Sequence, residues 1–311
     1  MNSVDDKRRL ILKLAAATGV FLLPPALRAT EPTVQELGDG SLYLLSDGYL
    51  SLSLNFLANN PEIAQEAVEI LGVADLSSIE HKPPCNITLW RTQDRLVLFD
   101  VGSGSQFLDT VGLLPSQFDE LGIDPQEVTD VVFTHAHPDH LWGLVDDFDE
   151  LMCPDATYHM HHSEFDFWMS EDTLNSAPEN QLGMVAGARN RLPLIDAQLQ
   201  RFEWGDEIVP GVEAIDTHGH TPGHTSFAIH QGSQSVVVIG DAVTHEVLSF
   251  QKPDWAWPTD QDPEAAALSR RTLLDRLAAD QTPVVAYHLS TPGLGRVESN
   301  GTAFKFSAGT L

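Results

Sequence analysis

The sequence predicts an α/β fold in which two β-sheets pack on each other and helices cover the outside. Three observations predict it. Strand-length runs rich in Val, Ile and Leu recur in both halves of the chain, helical patterns are interspersed with them, and the acidic and imidazole groups fall at strand ends and in the loops that follow. A chain of 311 residues with 42% hydrophobic content, no repeat, no biased tract and no linker buries one large core. We expect a single domain over residues 31–311 behind a leader at residues 1–30.

The leader carries Lys7, Arg8 and Arg9, then an apolar run from Leu10 to Leu23, then Pro24, Pro25 and Ala29. Its charge-free core, Leu14 to Leu23, falls short of the roughly 20 residues that span a hydrocarbon layer. It therefore reads as an export signal, with Arg8-Arg9-Leu10-Ile11-Leu12-Lys13 similar to a twin-arginine motif. The expectation is a periplasmic or secreted protein with no integral membrane span once the leader is removed.

Strands are expected near Leu42 to Leu45, Asn86 to Trp90, Leu96 to Phe99, Val128 to Thr134 and Ala156 to Met160 in the first half. In the second they are expected near Glu213 to Asp216, Thr225 to Ile229, Ser235 to Ile239 and Pro283 to Tyr287. One helix is marked by Asp262 as cap, Pro263 at the first helical position and Glu264 in the first turn, and runs to about Ala279. A second is expected over Pro178 to Arg191, stopped before Pro193. Cys85 and Cys153 are the only cysteines and are expected as buried, unpaired thiols.

After the apolar run Val131-Val132-Phe133 comes Thr134-His135-Ala136-His137-Pro138-Asp139-His140, which places three imidazoles and a carboxylate within six residues. Two histidines two apart in extended chain point the same way, so His135 and His137 can share one ion. Pro138 bends the chain and lets Asp139 and His140 face a second position. Without a cation this cluster would be costly to bury, because its carboxylate and ring nitrogens would lack partners. Downstream, His220 lies in a Gly-rich turn after a strand, Asp241 closes a strand after Ile239-Gly240, and His288 closes another after Ala286-Tyr287.

These segments resemble the metallo-beta-lactamase superfamily, with its His-x-His-x-Asp-His signature and later single His, Asp and His ligands in that order. The resemblance implies a four-layer αβ/βα sandwich with two divalent metal ions at the rim between the sheets. His135, His137 and His220 would hold the first ion, Asp139, His140 and His288 the second, and Asp241 would bridge them, with Asp139 and Asp241 also counted as catalytic. Zinc is the default for an imidazole-rich site, and the carboxylates also admit manganese, cobalt or iron. Asp100 matches the family's Asp-x-Gly turn and His224 its Pro-Gly-His turn, so both are expected to orient ligands from behind. His218 ranks behind His220 as a ligand, and His159, His161 and His162 are read as packing or surface residues.

The family chemistry is hydrolysis by a metal-bridging hydroxide, and the absence of a Gly-x-Ser-x-Gly elbow agrees with a site that needs no serine nucleophile. The His218 to Thr225 turn, the His288 to Gly295 segment, the long stretch between His140 and His220 and the leader are most similar to the methyl parathion hydrolase and metallo-lactonase branch. The expected substrate is a neutral hydrophobic ester: a lactone, an aryl ester or an organophosphate triester. Phe250, Trp255 and Trp257 are expected to wall a pocket over the metals. The alternatives are a glyoxalase-II-like thioesterase, a beta-lactam hydrolase, or a metal-binding protein of the same fold without catalysis.

Charge narrows the partners. Removing residues 1–30 takes away five basic and two acidic residues and moves the net charge from −28 to −31. Such a field repels polyanions, so nucleic acid is excluded as a partner and a small molecule is favoured. A homodimer is compatible with the sequence.

Overall fold

The computed structural model describes residues 30–311; the expected export signal lies outside the described residues. Strands β1 (Thr33–Leu37) and β2 (Gly40–Tyr49) form an antiparallel hairpin, followed by a two-stranded ribbon of β3 (Leu52–Ser53) and β4 (Glu80–His81) that embraces a helix at Pro61–Leu71. Strands β5 (Pro84–Arg91), β6 (Leu96–Phe99), β7 (Asp130–Val132), β8 (Thr157–His161) and β9 (Leu199–Phe202) complete a first sheet in the order β1-β2-β5-β6-β7-β8-β9. It is antiparallel as far as β6 and parallel from β6 to β9.

The second sheet runs in chain order through β10 (Glu207–Val209), β11 (Val212–Asp216), β12 (Thr225–Gln231), β13 (Gln234–Val238), β14 (Val284–Val285), β15 (Leu294–Asn300) and β16 (Ala303–Ala308). Only the β13–β14 pair is parallel, because the helix Pro263–Asp280 makes the crossover between them. That helix starts where expected, with the Asp262 side chain accepting from the Ala265 N–H and Pro263 in the first turn.

Side-chain alternation on the strands generates the layers. On β6, Leu96 and Leu98 face the helices that cover the first sheet, while Val97 and Phe99 face the second sheet. On β12 and β13, Phe227, Ile229, Val236 and Val238 meet them from the other side, and Phe99 and Phe227 touch with ring centroids 5.7 Å apart. Ala228 and Val237 point outward, onto Leu273, Leu274 and Leu277 of the long helix. Both faces of each central strand are therefore buried, which is why these strands read as continuous apolar runs. The result is the expected four-layer helix–sheet–sheet–helix sandwich.

Some boundaries differ from expectation. The stretch from Pro178 begins with a 3₁₀ turn, Glu179–Gln181, and becomes α-helical only at Leu182–Arg191. Its C-terminal end agrees: the α-helix stops at Arg191, before Pro193, and a 3₁₀ run over Leu192–Gln198 follows with proline in its first turn. The strand expected to end at Tyr287 ends at Val285. Cys85 and Cys153 are free and buried, as expected.

Candidate metal centre

Four loops leave the strands at one rim and converge. The first follows β7. Asp100, just past β6, takes a left-handed backbone with φ 61°, which Asp tolerates better than most residues. Its carboxylate accepts from the Thr134 N–H at 2.7 Å, the Thr134 hydroxyl at 2.8 Å and His140 Nδ1 at 2.8 Å. One side chain thus fixes both the start of the His135–His140 loop and the ring of His140. The loop then enters a short helix, Pro138–Leu141, which turns Asp139 and His140 toward the rim.

The second loop carries His220. Gly219, at φ 122°, lies so close to the long helix that a Cβ there would sit 2.1 Å from the Ala266 nitrogen. His220 Nδ1 donates to Asp260 Oδ1 at 3.0 Å, and Asp260 is held in turn by Arg270 at 3.1 Å. The third loop carries Asp241, whose N–H donates to His224 Nε2 at 3.0 Å; the opposite ring nitrogen, Nδ1, therefore carries a proton and faces the Thr217 carbonyl at 3.1 Å. The fourth loop carries His288, whose Nδ1 donates to the Pro84 carbonyl at 2.9 Å.

These braces aim seven side chains at one another. His137 Nδ1 lies 3.0 Å from His135 Nε2 and 2.9 Å from His220 Nε2. Asp241 Oδ2 lies 3.4 Å from His220 Nε2 and 3.3 Å from His288 Nε2, and its Oδ1 lies 3.3 Å from His140 Nε2. Asp139 Oδ2 lies 3.5 Å from His140 Nε2 and 3.3 Å from His288 Nε2. His135, His137, His220 and Asp241 form one group with metal-ligand spacing, and His140, Asp241 and His288 a second. Asp241 belongs to both, and Asp139 sits beside the second.

The donor set fits two cations. Asp139 Oδ2, His140 Nε2 and Asp241 Oδ1 are buried and make no hydrogen bond of acceptable geometry, a costly arrangement that a cation would relieve. Electrostatics agree. Burial and the neighbouring His220 hold His137 down at about 3, so the ring is neutral and one ring nitrogen keeps a lone pair that can ligate. Burial and the neighbouring imidazoles likewise hold His135 well below its ordinary range. Burial would also lower His140, yet Asp241, Asp139 and Asp100 around it push it up to about 10. Burial would raise Asp241, but His288 and His140 hold it well below the carboxylate range. The site as built demands positive charge.

A cavity of about 320 Å³ opens over this cluster, with His137, Asp139, His220, Asp241 and His288 at its floor. Leu50, Leu52, Leu54, Phe107, Met184 and Trp257 contribute its apolar wall, and no Lys or Arg lines it. Of the three aromatic residues expected there, Trp257 is present and the other two are corrected. Phe250 lies in the short helix Leu248–Gln251 and is buried against Phe306 beneath the second sheet. Trp255 packs against the small cluster around Leu57, Ala67 and Leu76 instead.

The remaining histidines fall outside the cluster. His218 pairs with Asp216 at 2.7 Å and is half-buried. His159 is buried against Asp130. His161, His162 and Glu203 lie close enough to suggest an ion, but His161 Nδ1 accepts the Ser163 N–H. Its Nε2 must then carry the proton, which opposes metal ligation. Two functional residues had no sequence signal: Asp260, and Glu164, whose buried carboxylate accepts from both the His135–His140 loop and the His220 turn.

The metallo-beta-lactamase superfamily model matches residues 82–288. A probable metallo-hydrolase of Mycobacterium bovis is 28% identical over 186 residues, covering 52% of this chain and 57% of its own length. The chain thus spans little more than half the length of that curated relative. Among solved structures, AidC, a dizinc quorum-quenching lactonase in complex with a product, N-hexanoyl-L-homoserine, superposes with a TM-score of 0.82 at 26% identity over 92% of this chain and 99% of that one. The hydrolase AbOPH of the beta lactamase superfamily superposes with a TM-score of 0.83 at 27% identity over 91% and 99%.

Proposed function

The chain belongs to the metallo-beta-lactamase superfamily, and from that premise we propose that it is a binuclear-metal hydrolase of neutral, hydrophobic esters, with a lactone as its preferred substrate. The observation that carries the reading is the cavity: an apolar wall stands directly over the His and Asp cluster, and no cationic side chain lines it. A phosphate monoester, a penicillin carboxylate or a glutathione conjugate would meet no counter-charge there, against a chain of net charge −28. A neutral ester meets no such penalty. The named lactonase with a similar fold supports the choice of a lactone over a phosphotriester.

His135, His137 and His220 would hold one ion and Asp139, His140 and His288 the other, with Asp241 shared. Zinc is proposed from the predominance of imidazole. Bound there, two cations supply Lewis-acid polarisation of the ester carbonyl and a water of lowered pKa. The chain does the rest. Asp260 and Asp100 take the Nδ1 protons of His220 and His140, so that each ring presents Nε2 inward. Asp139, at the cavity floor, is placed to receive the proton of the attacking water and pass it to the leaving alkoxide oxygen. The apolar wall takes the substrate's tail and excludes bulk water.

The reading is tested with metal-loaded protein on a panel of an alkyl lactone, an aryl ester, a dialkyl aryl phosphotriester, a penicillin-type lactam and a glutathione thioester. Lactone hydrolysis should dominate. Dominant activity on the lactam or thioester would replace this reading with another of the same family, and activity on none would favour a non-catalytic metal protein.

A further inference from the structure

Sulfur stands beside the second group of ligands. Cys85 is the second residue of β5, and its side chain lies on the same face as Ile87 and Leu89. Deep in that helix-covered core a buried thiol would be an ordinary small apolar filler. Cys85, however, lies where the strand begins, and there its neighbours change. The carbonyl before it, that of Pro84, takes the Nδ1 proton of His288, and the N–H after it, that of Asn86, donates to the Tyr287 carbonyl at 2.9 Å. The Asn86 side chain adds bonds to the carbonyls of Ala286 and Leu289, on either side of His288. Cys85 is thereby laid against the loop that carries a metal ligand.

The ligating atoms of Cys85, Asp139 and His288 all lie within 4.8 Å of one another, and all three side chains are buried. Of the groups with ligand spacing among the described residues, this is the one that contains Asp139. Asp139 is fixed in place, since the Tyr287 hydroxyl donates to its backbone carbonyl at 2.6 Å, yet its buried Oδ2 has no hydrogen-bond partner. An apolar filler beside such a carboxylate leaves its cost standing, whereas a cation between them satisfies both. His288 belongs to this group and also to the group with His140 and Asp241, so one cation can draw on both. Cys153 supplies the contrast: it is just as buried and falls in none of these groups.

We propose that Cys85 is a further metal ligand, its sulfur joining Asp139, His140 and His288 on the second cation as a thiolate, with the thiol proton released to solvent. This rests on the reading of the cluster as a binuclear metal site. The two positions then differ in kind. The first offers three imidazoles and the shared Asp241; the second offers sulfur as well as nitrogen and oxygen. Thiolate favours zinc and other thiophilic ions, whereas manganese suits carboxylate and water. The second position therefore discriminates against manganese more strongly than the first, and removing the sulfur removes that preference at one position only.

The test loads cobalt(II) into wild type, Cys85→Ser and Cys153→Ser, and records bound metal by elemental analysis together with the near-ultraviolet charge-transfer absorption of a cobalt–thiolate bond. Wild type and Cys153→Ser should bind close to two ions and show the band. Cys85→Ser should lack it, and competition with a chromophoric chelator should find one of its two zinc ions loosened by at least about tenfold and the other unchanged. Wild type and Cys153→Ser decide the matter even where Cys85→Ser does not fold. Two bound cobalt ions without the band in wild type, a band that persists in Cys85→Ser, or a band lost in Cys153→Ser would overturn the inference and leave the binuclear reading in place. Wild type that binds fewer than two ions of either metal would sink the binuclear reading itself, and the inference with it.

Discussion

Glu164 accepts the hydroxyl of Thr221 at 2.6 Å, and through the same carboxylate it ties the two halves of the metal site together. Its Oε2 also takes the Gly223 N–H at 3.0 Å, while Oε1 takes the Ala136 N–H at 2.8 Å and the Trp168 indole N–H at 2.6 Å. Gly223 permits this approach, because a Cβ there would lie 2.3 Å from the Glu164 nitrogen. The carboxylate is fully buried and all its neighbours are donors, so the arrangement needs an acceptor on both oxygens.

Replacing Glu164 by Ala should therefore cost on the order of 2–4 kcal/mol of stability, since four buried donors lose their acceptor. Glu164→Gln should also destabilise, because its NH₂ must face one pair of donors. Urea denaturation measures both. Stability of Glu164→Ala within about 0.5 kcal/mol of wild type would show that the clamp is replaceable by water.

Asp260 touches a single ligand ring, and its other oxygen holds the buried Arg270 and the Trp257 N–H, so its loss should register in both metal binding and stability. Asp260→Asn removes the carboxylate that takes the His220 Nδ1 proton and should weaken metal binding by roughly tenfold to hundredfold. Competition with a chromophoric chelator measures this. The variant also leaves Arg270 buried without its anionic partner, although Arg270 keeps the carbonyls of Ala242, Pro253 and Trp255. A metal affinity equal to wild type would remove Asp260 from the account of the site.

Much of this was legible in the sequence, and the reasons separate cleanly by distance along the chain. The His135 to His140 segment declares itself because metal ligation concentrates uncommon residue types locally, and Leu96–Phe99 and the Asp262 cap declare themselves through period and capping. Glu164 and Asp260 do not. Each works across a long interval, 57 residues to Thr221 and 40 to His220, and each is one of 45 acidic residues. The β15–β16 hairpin was missed because Glu298, Ser299 and Asn300 are exposed and break the apolar pattern. The cavity wall was half-missed for a related reason: its residues come from separate segments around positions 50, 81, 107, 181 and 257, which only the tertiary fold brings together.

The apolar wall makes a prediction about chain length. Leu52 lies on the exposed ribbon and lines the cavity, so its truncation should leave the fold intact. Leu52→Ala should raise KM for a long-chain acyl lactone by about threefold to tenfold, in line with the apolar area removed, and leave a short-chain lactone nearly unchanged. Steady-state kinetics across chain lengths measures it. An equal effect at every length would place the tail elsewhere.

The central claim is that seven side chains hold two ions and that hydrolysis depends on them. The most direct measurement is elemental analysis of the purified protein paired with lactone hydrolysis before chelation, after chelation and after metal is restored. The account predicts close to two transition-metal ions per chain, activity that disappears with them and returns on their readdition, and loss of both in Asp241→Asn, whose two oxygens face both clusters. Full activity after exhaustive chelation, or full activity with a single bound ion, would contradict it.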